Sequence, residues 1–212
     1  MEFPSQLLQL AISHGVPQFI NTGTYFQYAP DPLPIKETNQ LLPFNEYAKT
    51  KIEFSNVLRH YSQQISIQDL TLFSPYGPRD NDKLIMYIVK NIVQGNVLEL
   101  SEGFQKIDLV YVEDVAISIY KCILSDMSNA PGYTNLNIAS GSPASVRDVV
   151  SLVEEITGLT GQKNWGPPSE NDYPIVYGDI EKAKRLIGWG PKVNLRMGLT
   201  KTLDFVKGVL PR

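Results

Sequence analysis

The sequence predicts an α/β protein. Up to about Asp126, segments with apolar residues at helical spacing alternate with short apolar runs of strand length. Glycine, proline and asparagine separate these segments, as expected of turns. The chain has 212 residues, 42% hydrophobic and 19% charged, which is enough for a sizeable core in one or two domains. Helices and strands that alternate in this way form a sheet covered by helices.

The first elements follow from periodicity and from the residues that start and stop helices. Gly15 and Pro17 end the first helix, and Asn45 opens the second. The predicted elements up to Asp126 are a helix over 2–14, a strand at 19–20, a proline-rich loop around 30–34, a helix from Asn45, a strand over 67–73, a helix over 83–94, strands over 97–100 and 107–112, and a helix introduced by Asp114.

Beyond Asp126, clusters of Asn, Ser, Pro and Gly separate shorter elements. Ser145 and Asp148 form a capping pair for a helix that ends at Gly158. Asp179 is predicted to cap another helix, which ends at Gly188. The stretch 161–174 contains three prolines and is predicted to be an irregular loop, and 196–208 forms the last helix.

Composition argues against several classes of function. The 19 Lys and Arg against 22 Asp and Glu give a net charge of -3 without a long block of either sign, so neither nucleic acid nor a membrane surface is an expected partner. Cys122 is alone, which excludes an internal disulfide and predicts a core residue. His14 and His60 are far apart, so no metal site is expected. Without a spanning apolar run or a signal-peptide pattern, we expect a cytoplasmic protein.

Tyr47 and Lys51 lie four residues apart on the helix that Asn45 opens. Residues at this spacing share one helix face, so both side chains can act on the same substrate atom. A tyrosine has an ordinary pKa near ~10 and needs help to exchange a proton at neutral pH. The spacing alone is a weak signal, because such pairs also arise by chance. The alternative is a surface tyrosine beside a solvated lysine, with Thr24 merely ending a strand.

Further motifs surround this pair in a definite order. They are FINTGT at 19–24, with Tyr28 after it, YAKTK at 47–51, LFSPYGPR at 72–79, KLI at 83–85, DLVYVEDV at 108–115 and LIGWGP at 186–191. Together they resemble the extended short-chain dehydrogenase/reductases, namely the NAD-dependent epimerase/dehydratase family that modifies nucleotide sugars. The resemblance covers almost the whole chain and is far more specific than any single motif.

The resemblance implies roles for individual residues. Tyr47 would be the general acid/base, Lys51 would stabilise its phenolate and bind the nicotinamide ribose, and Thr24 would hold the same substrate oxygen. The residues assigned to NAD or NADP are Tyr47, Lys51, Phe73, Ser74 and Pro75. The residues assigned to the sugar substrate are Thr24, Ser74, Lys83, Leu84 and Lys106.

One part of the family pattern is not found in these 212 residues. The family binds the dinucleotide pyrophosphate at a Gly-x-x-Gly-x-x-Gly turn after its first strand, and no such turn occurs here. Met1 aligns with the helix before the Thr24 strand, so about three or four βα units of ~30 residues each would precede it. We therefore expect a truncated reading frame or fragment with weak dinucleotide binding. The residue that selects NAD or NADP falls in that preceding part.

The substrate side also departs from the family. Ile107-Asp108 stands where the family has Arg-Asp, and Ser169-Glu170 where a second arginine is common, which puts the diphosphate grip in question. Lys106 and Arg79 are alternatives for that grip, or solvated surface charges. Tyr25-Phe26 replaces the Asp-Glu of 4,6-dehydratases and disfavours elimination of water. The segment 105–109 is similar to CDP-sugar 4-ketoreductases and related epimerases.

These expectations combine into one hypothesis. The fold is the C-terminal part of a Rossmann-like doubly wound parallel sheet with a smaller mixed α/β substrate domain. Residues 1–73, with 107–125 interleaved, form the partial nucleotide-binding domain, and 74–106 with 126–212 form the substrate domain. The expected activity is NAD(P)-dependent hydride transfer at C4 of a nucleotide-linked deoxysugar, by an epimerase or 4-ketoreductase. The alternative is a non-catalytic nucleotide-sugar-binding or interaction remnant, in which a partner, or another copy in a homo-oligomer, covers the exposed edges.

Overall fold

The computed structural model describes residues 2–80, 83–125, 130–169 and 173–209. The helices are α1 Glu2–Ser13, α2 Glu46–Tyr61, α3 Leu84–Gln94, α4 Val112–Leu124, α5 Val146–Thr157, α6 Glu181–Ile187 and α7 Leu195–Val209. The strands are β1 Gln18–Thr24, β2 Ser66–Leu72, β3 Pro75–Tyr76, β4 Leu98–Leu100, β5 Lys106–Ile107, β6 Val110–Tyr111, β7 Gly132–Ile138, β8 Ala144–Ser145 and β9 Lys163–Trp165. None of the described helices is long and apolar enough to cross a membrane.

A parallel three-stranded sheet forms the centre of the first half, in the order β1-β2-β7. On one face, Leu8 of α1 and Phe54 and Leu58 of α2 pack against Ile67 of β2. On the other face, α4 and α6 pack against Leu70 of β2 and the apolar side chains of β7. The predicted α/β class with a parallel sheet between helical layers is therefore confirmed.

A second apolar core is built largely from helices. The facing sides of α3, α5 and α7 bury Ile88, Val149 and Leu203, with short strands at their edges. The two-stranded pairs β3-β6, β4-β9 and β5-β8 surround this core. Strand β3 directly follows β2, and β6 directly precedes α4, which packs on the parallel sheet, so the β3-β6 pair lies where the two cores meet.

Several helix ends lie where capping residues predict them, but the N-cap of α6 is Ile180 and not the predicted Asp179. The Asn45 side chain accepts the backbone N–H of Ala48 at 2.9 Å and begins α2. Ser145 and Asp148 form a reciprocal capping box at the start of α5. Gly158 and Gly188 follow α5 and α6 with positive φ, the conformation that glycine adopts most easily. Local chemistry thus sets these boundaries.

Two predicted elements differ from the structure. The single strand over 107–112 is wrong, because the buried Asp108 interrupts it between β5 and β6, and α4 already begins at Val112. The Asp108 carboxylate accepts backbone N–H groups of Ser140, Gly141 and Gly178, which fixes the bend. The irregular loop over 161–174 is also wrong in part, because β9 pairs with β4, a partner that only the tertiary fold provides.

Strand β7 has no counterpart in the predicted elements. It contains Asn135 and Asn137, residue types that favour turns, yet both side chains are buried and hydrogen-bonded to Tyr28 and Ile35. The sequence places 126–212 in the substrate domain, whereas β7 and α6 lie in the layers of the parallel sheet.

Two other buried residues belong to these sheet layers. Trp189 is fully buried there and donates its indole N–H to the Asp114 carbonyl at 2.9 Å, so it packs against the parallel sheet. Cys122 is buried in the same cluster, as predicted.

Candidate active site

A cavity of about 490 Å³ opens at the carboxyl ends of β1 and β2, where polar residues follow the strands. Its described lining residues are Thr22, Gly23, Thr24, Tyr25, Phe26, Tyr47, Leu72, Ser74, Pro75, Tyr76, Asp80, Lys83, Leu84, Ile85, Ile107 and Leu109. Parallel α/β sheets commonly bind ligands outside the carboxyl ends of their strands. The cavity lies between the parallel sheet and the helical core, because its wall takes residues from both.

Thr24 is the last residue of β1 and the N-cap of a short 3₁₀ turn over Tyr25–Gln27. Its hydroxyl accepts the N–H of Phe26 at 3.4 Å and so caps that turn. The side chain is almost fully buried, yet it contributes to the cavity wall. Thr24 is therefore held in one orientation at the floor of the cavity.

Tyr47 and Lys51 lie on one face of the first two turns of α2. Tyr47 is 55% exposed and lines the cavity, so its phenol is accessible to a ligand. The Lys51 ammonium donates to the Thr22 carbonyl at 2.7 Å and lies 5.7 Å from the centre of the Tyr47 ring. The strand that carries Thr24 thus also anchors Lys51, and a fixed positive charge lies beside the phenol.

The other predicted site residues divide into two groups. Ser74, Pro75, Lys83 and Leu84 line the cavity together with Thr24 and Tyr47. Phe73 lies behind the wall, fully buried, with its ring stacked on Tyr25 at 5.2 Å between ring centres. Lys106 is exposed on β5 and does not line this cavity. Hydrogen bonds from Ser145 lower the pKa of the Asp148 carboxyl at the start of α5, and the positive charge of Lys106 adds to this effect.

Two further residues considered for the substrate, Arg79 and Ser169, also lie outside the lining of this cavity. Arg79 is exposed with a positive φ, outside the lining. Ser169 borders a separate, smaller cavity beside Phe104 and Pro168. Glu170 lies outside the described residues. The proposed diphosphate contacts of Lys106 and Arg79 therefore stay predictions.

Several lining residues were not found by sequence reasoning. Tyr25, Phe26 and Tyr76 bring aromatic rings to the wall, and Ile85 and Ile107 add aliphatic surface. The doublet Tyr25-Phe26 directly after Thr24 was the available signal, and it was used only to argue against elimination. The other three residues lie within motifs that the sequence analysis quotes, Tyr76 in 72–79, Ile85 in 83–85 and Ile107 in 105–109, but none of the three was assigned to the site.

The electrostatic character of the cavity is nearly neutral. Among its described lining residues, the charged side chains are Asp80 and Lys83, whose carboxylate and ammonium lie 3.1 Å apart. Burial raises the pKa of the Tyr76 phenol, so this wall residue stays uncharged. Ser74 has a positive φ of 30°, an unusual conformation for a residue with a side chain. Conformations of this kind are enriched at active sites and ligand-binding turns.

Sequence comparison agrees with this geometry. The profile described as the NAD dependent epimerase/dehydratase family matches residues 1–139. The match covers more than half of the chain and includes Thr24, Tyr47, Lys51 and Ser74. This chain belongs to the NAD dependent epimerase/dehydratase family. The match confirms the family that the motifs resemble. It does not identify the branch of the family to which the chain belongs.

Individual relatives span several nucleotide sugars. The UDP-glucuronate 4-epimerase of Thermodesulfobacterium geofontis is 26% identical over 207 residues, which are 95% of this chain and 62% of that protein. The CDP-abequose synthase of Salmonella typhimurium is 25% identical over 207 residues, 94% of this chain and 66% of the relative. The chain thus spans roughly two thirds of the length of such relatives.

A solved structure gives the same fold. The UDP-glucuronic acid 4-epimerase of Bacillus cereus, in complex with UDP-glucuronic acid and NAD, superposes with a TM-score of 0.89 at 25% identity. The superposition covers 97% of this chain and 66% of that protein. The fold of the chain is therefore that of a nucleotide-sugar epimerase over almost its whole described length.

Proposed function

We propose that this chain carries the proton-transfer and sugar-binding part of an NAD(P)-dependent nucleotide-sugar epimerase or 4-ketoreductase. The observation that carries the proposal is the joint placement of Thr24 and Tyr47 on one cavity, with the Lys51 ammonium fixed beside the phenol. The reaction is hydride transfer at C4 of a nucleotide-linked deoxysugar. Family membership supports the class of reaction.

The three residues have separate roles in the proposed reaction. Tyr47 exchanges the proton of the C4 hydroxyl or carbonyl oxygen, because its exposed phenol faces the cavity. Thr24 holds the same oxygen through its buried hydroxyl and fixes its direction. Lys51 stabilises the phenolate of Tyr47 through its positive charge. Since Lys51 is anchored on the Thr22 carbonyl, its charge needs little rearrangement during the reaction.

The residues present fit the reactive end of a nicotinamide cofactor. Thr22, Gly23, Ser74 and Pro75 form a wall next to Tyr47. When bound, the cofactor supplies or takes up the hydride at C4. No Gly-x-x-Gly-x-x-Gly turn for its pyrophosphate occurs in the 212 residues. We therefore expect the chain by itself to hold the dinucleotide weakly.

The lining supports a neutral, deoxygenated sugar. Leu84, Ile85 and Leu109 present apolar surface, and the Asp80 carboxylate already occupies the Lys83 ammonium. A sugar carboxylate would need an unpaired cation, since burial of an unpaired charge is costly. The Salmonella relative that makes CDP-abequose supports a CDP-linked substrate, and the segment 105–109 supports the same branch. Epimerase and reductase activities share the hydride step.

Two measurements test the proposed function. Isothermal titration of the chain with NAD⁺, NADH, NADP⁺ and NADPH gives the dinucleotide affinity, for which we expect a Kd above the micromolar range. Assays with saturating dinucleotide and CDP- or dTDP-linked 4-ketosugars then compare the wild type with Tyr47→Phe. We expect the substitution to lower turnover by about 10²–10⁴. Equal turnover of the two proteins would overturn the proposed role of Tyr47.

A second candidate is a non-catalytic nucleotide-sugar-binding or interaction module. It is favoured by the edge of β1, which has no strand partner opposite β2 among the described residues. Phe3, Leu7 and Leu10 also leave the apolar face of α1 exposed. A stable oligomer that binds nucleotide sugars without turnover in the presence of dinucleotide supports this candidate. The mass in solution is measured by size exclusion with light scattering.

A further inference from the structure

An aromatic side chain that the predicted mechanism does not use lies next to Thr24 in the cavity wall. Tyr25 is 7% exposed and lines the cavity. Its ring is held between Phe26, at 4.2 Å between ring centres, and Phe73, at 5.2 Å. Phe26 in turn stacks on Phe44 at 5.3 Å. The ring of Tyr25 therefore has neighbours on both sides and little freedom to turn.

The fixed ring determines where the phenol oxygen lies. The Ser74 hydroxyl donates to this oxygen at 3.5 Å, a long contact, and Ser74 also lines the cavity. Thr24, Tyr25 and Ser74 thus bring three hydroxyl-bearing side chains to one wall of the cavity. A polar group in an apolar pocket fixes orientation and specificity.

We infer that Tyr25 is a specificity-determining residue for the sugar part of the substrate. Its phenol hydrogen-bonds a hydroxyl group of the sugar ring, while Thr24 and Tyr47 hold the reacting oxygen. Because stacking holds the ring in place before the ligand binds, little entropy is lost when the bond forms. This inference rests on the proposed function, since it assumes a nucleotide-linked sugar in the cavity. Tyr25 would add a contact that the protein makes with the sugar and not with the nucleotide.

The test compares ligands with and without the sugar. The 212-residue chain is titrated with CDP-4-keto-6-deoxyglucose against CDP, and with UDP-glucose against UDP. Tyr25→Phe removes the hydroxyl and keeps the stacked ring. We expect the affinity for at least one nucleotide sugar to fall about 3- to 10-fold. We expect the affinity for the matching free diphosphate to stay within twofold, because the inferred contact of Tyr25 is with the sugar alone.

A matched control is available in the same turn. Tyr28 is fully buried, its phenol accepts from Asn135, and it does not line the cavity. Tyr28→Phe should leave the ratio of the two affinities unchanged. The inference is overturned if Tyr25→Phe lowers both affinities equally, changes neither, or if the wild type binds no nucleotide sugar.

The proposed function and the role of Tyr25 are refuted by different results. If the wild type shows no turnover with added dinucleotide while the affinity ratio still depends on Tyr25, the catalytic proposal is wrong and the binding role stands. If Tyr47→Phe removes turnover while Tyr25→Phe leaves the affinity ratio unchanged, the catalytic proposal stands and the role of Tyr25 is wrong.

Discussion

Gly198 in α7 is the position where one added methyl group should have the largest effect on both stability and the cavity. A Cβ atom at this residue would lie 2.0 Å from the Tyr76 phenol oxygen and 2.8 Å from its Cζ atom. Real contacts of this kind are longer than 3 Å, so the ring must move by about 1 Å or more. Tyr76 is buried, packs edge-on against Tyr111, and lines the cavity, so it has no free space to enter except the cavity itself.

The size of the effect follows from two opposing contributions. Overpacking a buried site costs about 1–3 kcal/mol, and the short 2.0 Å approach places Gly198→Ala at the upper end. Replacing glycine by alanine within a helix returns up to about 1 kcal/mol. We expect Gly198→Ala to lower the free energy of unfolding by about 2 kcal/mol. Displacement of Tyr76 into the cavity should also weaken nucleotide-sugar binding.

The measurement is urea unfolding of both variants followed by circular dichroism. Gly208→Ala is the matched control, because it lies in the same helix and an added Cβ meets nothing within 4 Å. This control should keep or slightly raise the stability. If Gly198→Ala stabilises the protein as much as Gly208→Ala does, the packing of Tyr76 against α7 is not as described and the reasoning is refuted.

Three further predictions concern stability and reactivity. Asp108→Asn should destabilise the protein by about 3 kcal/mol, because the amide turns an NH₂ group toward backbone N–H groups that donate to the two carboxyl oxygens of Asp108. Burial raises the pKa of Asp108, so the contribution of this residue to stability falls as the pH rises above the ordinary carboxyl pKa near ~3.9. Urea unfolding at several pH values should therefore show that the difference in free energy of unfolding between wild type and Asp108→Asn becomes smaller as the pH rises. A difference that becomes larger would contradict the raised pKa. Asn45→Ala should lower the free energy of unfolding by about 1 kcal/mol, because it removes the side-chain cap of α2. An unchanged free energy of unfolding would show that this cap does not stabilise the protein. Cys122, whose pKa burial raises to about 11, should react with a thiol reagent at pH 8 only after unfolding, and fast labelling of the native chain would show an open core.

Part of the candidate site could be predicted because its signals are local. Tyr47 and Lys51 share a face of helix α2, and the N-cap residue Asn45 marks the start of that helix in the sequence. Thr24 is the last residue of a strand with an apolar pattern. The motif containing Ser74 follows the next strand, and parallel strands bring their ends to one edge of the sheet. Lys106 was assigned to the same site by its motif, yet the bend at Asp108 leaves its side chain outside the cavity lining.

The sequence by itself determined most of the helices, the caps of α2 and α5, the α/β class and the order of the catalytic motifs, since each depends on residues within a few positions of one another. Only the tertiary structure decided that β7 joins the parallel sheet, because its buried asparagines find partners in Tyr28 and Ile35, about a hundred residues away in the chain. It also decided that β9 exists, since the free side of β4 supplies its partner. The aromatic wall around Tyr25 has the same origin. Stacking between residues 25 and 73 depends on the approach of two strand ends, which no local pattern encodes.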